Sequence, residues 1–194
     1  MDLGSVAIVA LIAGVAGGAV GAALVGTVEG LLRQRRAQDE SGWTVAAAQT
    51  ISLQGLDADS RKVVSLARQE AIQNGHSYVG SENLAMALRL YATPTLGRIW
   101  SQFAIDADVL RRRIEATVPP ILGPTPVGGT FTPRIVRIVA IANTLAAQRK
   151  RAEAPPELLL LALVDEGGGT GAHALASLGA TAQRVREVVD GAGS

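Results

Sequence analysis

Hydrophobic positions along the chain change rhythm twice. From Leu3 to Val28 they run almost unbroken, "LGSVAIVALIAGVAGGAVGAALVGTV", with no charge between Asp2 and Glu29. At about 1.5 Å per residue such a run spans a hydrocarbon core of about 30 Å, so the pattern predicts a single transmembrane helix. From Ala37 to Gly55 the sequence turns polar and mixed, which predicts a tether. Beyond it, apolar residues recur every three or four positions without strand-like alternation, and the expected fold is all-α. Helices are expected near 58–74, 81–91, 95–103 and 106–118, then near 133–149, 156–165, 170–178 and 181–190.

These two sets of four are one pattern written twice. Setting Leu56 against Phe131, an offset of 75 (131 − 56), keeps the apolar positions in phase without a gap. Val63, Val64, Leu66 and Ala67 fall on Ile138, Val139, Ile141 and Ala142, and Leu84, Ala87 and Leu88 fall on Leu159, Ala162 and Leu163. A repeat of this kind marks an internal duplication. Short amphipathic helices are not stable alone, so the two copies are expected to share a core as one pseudo-symmetric eight-helix domain. The resulting organisation is an anchor with its basic flank over 1–36, a tether over 37–55, repeat 1 over 56–118, a linker over 119–130 and repeat 2 over 131–194. The linker, "PPILGPTPVGGT", is too rich in Pro and Gly to continue a helix.

Charge orients the anchor. Arg33, Arg35 and Arg36 follow the apolar run while Asp2 precedes it, the reverse of a cleaved signal peptide, and the positive-inside rule places the C-terminal domain in the cytoplasm at the inner face of the cell membrane. Gly14, Gly18, Ala22, Gly26 and Gly30 form a small-residue strip along one face of the helix. Such a strip admits a second helix, as in a homodimer, although Gly and Ala are also common in membrane helices. Trp43 in the tether suits either the membrane interface or the domain that follows. The absence of Cys excludes disulfides, thiolate metal sites and thiol catalysis. A net charge of +1 gives no field for nucleic acid, and the clusters Arg111-Arg112-Arg113 and Arg149-Lys150-Arg151 read as solvated helix ends without the aromatic residues that stack bases. Arg far outnumbers Lys, which with abundant Ala, Gly and Val suggests a GC-rich bacterial genome.

Candidate chemistry concentrates in "NGHSYVGSENLAMAL", residues 74–88. His76 and His173 are the only histidines and do not align across the duplication. No repeated ligand set completes a metal site, and no cofactor motif is present. Ser81 near His76 reads as a helix N-cap rather than a nucleophile, so no enzymatic constellation is expected. His76 is expected to fix the turn between helices beside a partly buried Tyr78.

Residues 56–190 resemble the two halves of the Clp amino-terminal domain, the substrate- and adaptor-docking module of ClpA/ClpC-type unfoldases. The resemblance lies in "LDADSRKVVSLARQEAIQNGHSYVGSENLAMAL" and in "FTPRIVRIVAIANTLAAQRKRAEAPPELLLLALVDEGGGTGAHALASLGATAQRVREVV". That family opens its first helix on a Phe-Thr-like pair and enters the second through Gly-His-x-x-Ile/Val-Gly-Thr-Glu-His. Here the elements are split: copy one has Leu56-Asp57 and "GHSYVGSEN", while copy two keeps Phe131-Thr132-Pro133 but has "RAEAPPEL". No G-x-x-x-x-G-K-[ST] string follows, which predicts a docking domain without a motor.

The resemblance implies Clp chaperone-protease components, adaptors or substrate proteins as partners; a membrane scaffold that has lost Clp-linked function is the alternative. It implies that Glu82, aligned with Glu157, receives phosphoarginine-marked clients, a carboxylate matching the guanidinium fork while helix N-terminal donors hold phosphate. The competing account is that each acid merely complements a helix dipole. Grouped by copy, Glu82 and Ser81 are joined by an Asp57 that repels phosphate, and Thr132 and Glu157 by prolines that remove donors. Leu56 and Phe131 are expected either as hydrophobic docking surface or as core.

Overall fold

The computed structural model describes residues 51–121 and 129–191. Within them the chain forms α1 (Ala58–Gln73), β1 (Tyr78–Val79), α2 (Ser81–Leu90), α3 (Pro94–Phe103) and α4 (Ala107–Glu115), then β2 (Thr130–Phe131), α5 (Pro133–Gln148), α6 (Pro156–Glu166), α7 (Thr170–Ser177) and α8 (Ala182–Gly191). The duplication is visible element by element, and the fold is all-α apart from two strands of two residues each. The apolar run 3–28, the strip within it and Trp43 lie outside the described residues. Among the described residues no helix is long and apolar enough to cross a membrane.

Local chemistry sets the helix ends. Asp57 caps α1 by accepting from Ser60 N at 2.7 Å, Thr93 caps α3 from Leu96 N at 3.1 Å, and Asp106 caps α4 from Val109 N at 2.7 Å. Each supplies an acceptor for an N–H that the first helical turn leaves unpaired. At the far end of α1 the chain turns on Gly75 at φ +74°, where a side chain would also strike the carbonyl of Ile121. Ile121 N–H in turn donates to Asn74 O at 2.9 Å, fastening the linker's start to this turn.

The helices do not all follow the amphipathic expectation. Ser81 to Leu88 of α2 are buried without exception, as is Leu158 to Val164 of α6. A helix buried on every side is a core element rather than a surface one. The equivalent pairs α1–α2 and α5–α6 pack together, α2 contacts α6 directly, and α7 lies against both α2 and α6. Leu84, Leu88, Leu159 and Leu163 are all 0% exposed, so the two copies share one core. Ile51 and Leu53 pack against it too, so the packed unit begins ahead of the boundary at Leu56.

Interlocking, not mere stacking, joins the copies. Val79 pairs with Phe131 in parallel register, and Leu56 bridges Ala154 in the same sense. Since Val79 is equivalent to Ala154 and Leu56 to Phe131, each copy's leading residue pairs with the segment before the second helix of the other. The expected linker therefore ends one residue early: Thr130 already belongs to β2. No alternation could announce strands this short.

Electrostatic contacts secure the periphery. Tyr91 Oη donates to Asp59 Oδ1 at 2.7 Å and Lys62 Nζ donates to the same oxygen at 3.0 Å. The Tyr91 hydroxyl first, and Lys62 second, hold the Asp59 carboxyl below its ordinary range. The same hydrogen bonds push Tyr91 and Lys62 up. The basic clusters are partly engaged rather than wholly solvated: Arg111 pairs with the buried Glu70 at 3.4 Å, Arg149 with Asp190 at 2.7 Å, and Arg151 with Glu157 at 3.2 Å. Arg112 and Arg113 are exposed.

Candidate functional site

The interlocking regroups the candidate residues. Thr132 N–H donates to Val79 O at 3.1 Å, and Asp57 N–H donates to Ala154 O at 3.2 Å. Thr132 of repeat 2 thus sits at the strand that leads into Ser81 and Glu82 of repeat 1, while Asp57 of repeat 1 sits at the bridge residue Ala154, ahead of Glu157 of repeat 2. Grouping by copy is overturned for a topological reason: strand pairing runs between the repeats, which an alignment of the repeats cannot reveal.

At the first junction Thr132 faces the segment that leads into Glu82, while Glu82 itself lines a cleft with His76, Asn83, Arg111 and Glu115. Gly80, not Ser81, is the N-cap of α2, and Ser81 is its first helical residue. Gly80 has no side chain to cap with, so Asn83 makes the reciprocal half of a capping box, its Oδ1 accepting from Gly80 N at 2.9 Å. That frees the Ser81 hydroxyl to accept from Gly171 N of α7 at 3.2 Å. Its proton points to Glu82 Oε2 at 3.5 Å. Ser81 and Glu82 are both buried, at 3% and 5% exposed. Thr132 is the N-cap of α5 but makes no side-chain cap bond, and its buried Oγ1 has no partner among the described residues. Arg134 runs along Gly168 and Gly169 at the start of α7, its guanidinium held by Glu166 at 3.1 Å. The arrangement joins a carboxylate, an uncommitted hydroxyl and two helix N-termini, groups suited to a ligand bearing both a cation and an anion.

At the second junction the acids are already engaged by their own chain. Glu157 Oε1 accepts from Arg151 Nη1 at 3.2 Å, so the acid holds a guanidinium. Asp57 is committed to Ser60 N, and Ser60 Oγ donates to Ala154 O at 2.8 Å. Pro155 is the N-cap of α6 and Pro156 its first residue, neither with an N–H to offer. An exogenous guanidinium would have to displace Arg151.

The two hydrophobic candidates part company. Leu56 is 0% exposed and belongs to the core, leaving no surface for a partner. Phe131 is only partly buried. Both precede a helix N-cap and both pair with the other repeat, so equivalence in sequence and in backbone pairing does not give equal exposure. Three contributors escaped the sequence reading. Arg151 lies six residues before Glu157, outside helical spacing; Arg134 and Gly171 come from the other repeat. Asn83 was legible as the third residue after a helix cap. Among the described residues no group of three or more His, Asp or Glu side chains is placed to hold a metal.

Residues 130–193 match the family model of the Clp repeat (R) N-terminal domain. Over 128 residues the chain is 32% identical to the chloroplastic chaperone protein ClpC1 of Oryza sativa subsp. japonica, a match covering 66% of this chain and 14% of that protein. It is 31% identical over the same length to chloroplastic ClpC of Pisum sativum, with the same coverage. The chain therefore corresponds to a small part of the length of these relatives. In structure it is similar to the N-terminal domain of ClpD from Arabidopsis thaliana, with a TM-score of 0.58 at 15% identity, covering 72% of this chain and 94% of that one. The Hsp104 N-terminal domain from Candida albicans gives a TM-score of 0.56 at 15% identity, covering 70% and 89%. Its two interlocked four-helix repeats thus have the fold of the Clp amino-terminal domains, and the second of them matches the Clp repeat family itself.

Proposed function

We propose that this protein is a non-enzymatic docking protein of Clp-type protein quality control, held at the inner face of the cell membrane by its apolar N-terminal segment. Its two-repeat domain receives client proteins, adaptors or Clp components, and delivers or withholds them. The relatives, described as chaperones and as an ATP-binding subunit of an ATP-dependent Clp protease, support the setting. The charge-free run 3–28 with the arginines behind it supports the membrane attachment.

The observation that carries the docking role is the junction of the repeats, where the buried Glu82 carboxylate and Thr132, whose hydroxyl makes no cap bond, lie at the starts of helices that the Thr132–Val79 backbone bond brings side by side. Its ligand is a phosphoarginyl side chain, guanidinium on Glu82 and phosphate on the hydroxyl and amide donors. The Arg151–Glu157 pair supports the first half, since the equivalent acid already receives a guanidinium. Glu157 and Asp57 form the secondary pocket, and Phe131 the apolar margin of the first.

Titration calorimetry of the full chain in detergent with free phosphoarginine tests this. Binding is expected in the parent, and Glu82→Ala is expected to weaken it by about 1.5–3 kcal/mol for a lost charged hydrogen bond. Thr132→Ala is expected to weaken it, while Asp57→Thr leaves this pocket unchanged. Absence of heat at millimolar ligand in the parent sinks the phosphoarginine assignment. Activity of an extracytoplasmic enzyme reporter fused after Ser194 sinks the topology.

A further inference from the structure

We propose that His76 is a proton-sensitive positioning residue for the turn bearing Ser81 and Glu82, acting through Asn83 on the backbone N–H of Gly80; its functional meaning rests on reading that turn as the docking site. The imidazole is 3% exposed and stacks on Tyr78, with ring centroids 5.8 Å apart and planes inclined by 8°. Its backbone N–H is anchored to Ala71 O at 2.8 Å.

The ring's tautomer follows from its neighbours. Gly80 N–H donates to Asn83 Oδ1 at 2.9 Å, which assigns the two ends of the amide and turns Nδ2 toward His76 Nδ1 at 3.4 Å. An amide NH2 group only donates, so Nδ1 accepts and the proton of the neutral ring is assigned to Nε2, which is buried without a hydrogen-bond partner among the described residues. A second proton, on Nδ1, sets donor against donor. Turning the amide over gives no relief, because its NH2 group would then face Gly80 N–H. Either way the buried Gly80 N–H loses its acceptor, and the start of α2 loosens.

The second repeat supplies independent support. The residues equivalent to His76, Gly80 and Asn83 are Arg151, Pro155 and Leu158 (each plus 75). Pro155 has no N–H to satisfy, and in that copy both the amide and the imidazole are gone. The three residues are present together or absent together.

Glu82 from α2, with Glu115 and Arg111 from α4, lines the cleft beside His76, and Arg111 is tied to Glu70 of α1. Imidazole is the side-chain type that ordinarily changes charge between about pH 5 and 8, so that is the range in which a second proton on the ring is to be tested.

Nitrogen–proton NMR of the full chain in detergent, with His173→Gln removing the second imidazole, follows the ring and the Gly80 amide together from about pH 8 to about pH 5. An unprotonated Nδ1 is expected at the upper end, with the Gly80 amide shifting and losing exchange protection at the ring's own midpoint. His76→Gln, whose oxygen accepts from Asn83 without titrating, is expected to keep the turn and abolish its pH response. A neutral ring protonated on Nδ1, a ring that takes up no proton in this range, or a titrating ring to which Gly80 is indifferent overturns the proposal. None of these readings needs a ligand, so they stand or fall apart from the docking assignment.

Discussion

Single side chains decide more here by their commitments than by their type. Glu82 and Glu157 align across the duplication, yet one shares its turn with a bound serine hydroxyl and the other holds Arg151. Asp59 shows the same principle away from the pockets. Its carboxyl is held low chiefly by Tyr91, so the contact contributes stability above the ordinary aspartate range and loses it as pH falls through the lowered value. Tyr91 is pushed up by the same bond, so its contribution is present below the ordinary tyrosine range and is lost as pH rises through the raised value. Thermal melts across pH are therefore expected to fall at both extremes, with Asp59→Asn flattening the acid limb. An unchanged acid limb in that variant would show the contact to be without thermodynamic effect.

At the scale of elements, α2 and α6 carry the fold because they are buried all round. Leu88→Ala and Leu163→Ala are each expected to cost about 2–5 kcal/mol by chemical denaturation, since both side chains are wholly enclosed. A cost below about 0.5 kcal/mol for either would place that residue at the surface. The contact between α2 and α7 has less tolerance for growth than for loss. A Cβ at Gly171 would meet the backbone carbonyl of Ser81, so Gly171→Ala is expected to cost about 1–3 kcal/mol by forcing the two helix starts apart. Helix positions were legible in sequence because periodicity and caps are local, as with Asp57, Thr93 and Asp106. The enclosure of α2 was not, because Ser81, Glu82 and Asn83 look like a solvated first turn until α7 packs against Ser81 and Pro120 comes up beside Glu82 and Asn83.

The whole molecule is a pair of repeats that complete one another. Thr132 N–H relies on Val79, and Asp57 N–H on Ala154, so neither repeat retains its strand partner when cut from the other. Separately produced residues 51–121 and 129–191 are expected to show little cooperative melting by circular dichroism, and to regain it on mixing. Cooperative unfolding of an isolated repeat at the midpoint of the whole domain would refute that interdependence.

Sequence by itself determined the helical fold class, the duplication and its offset of 75, and the resemblance to Clp amino-terminal domains, because each is written in local spacing that any chain of this pattern must obey. It also put Glu82, Thr132 and Glu157 forward as candidates. Only the tertiary structure decided which of them lie at the same junction, that Leu56 lies in the core while Phe131 stays partly exposed, and that Arg151 already occupies Glu157. The regrouping of Thr132 with Glu82 and of Asp57 with Glu157 depends on two short parallel bridges between residues far apart in the chain. Their hydrogen bonds join backbone groups, which every residue but proline carries alike, so no choice of side chain records the pairing.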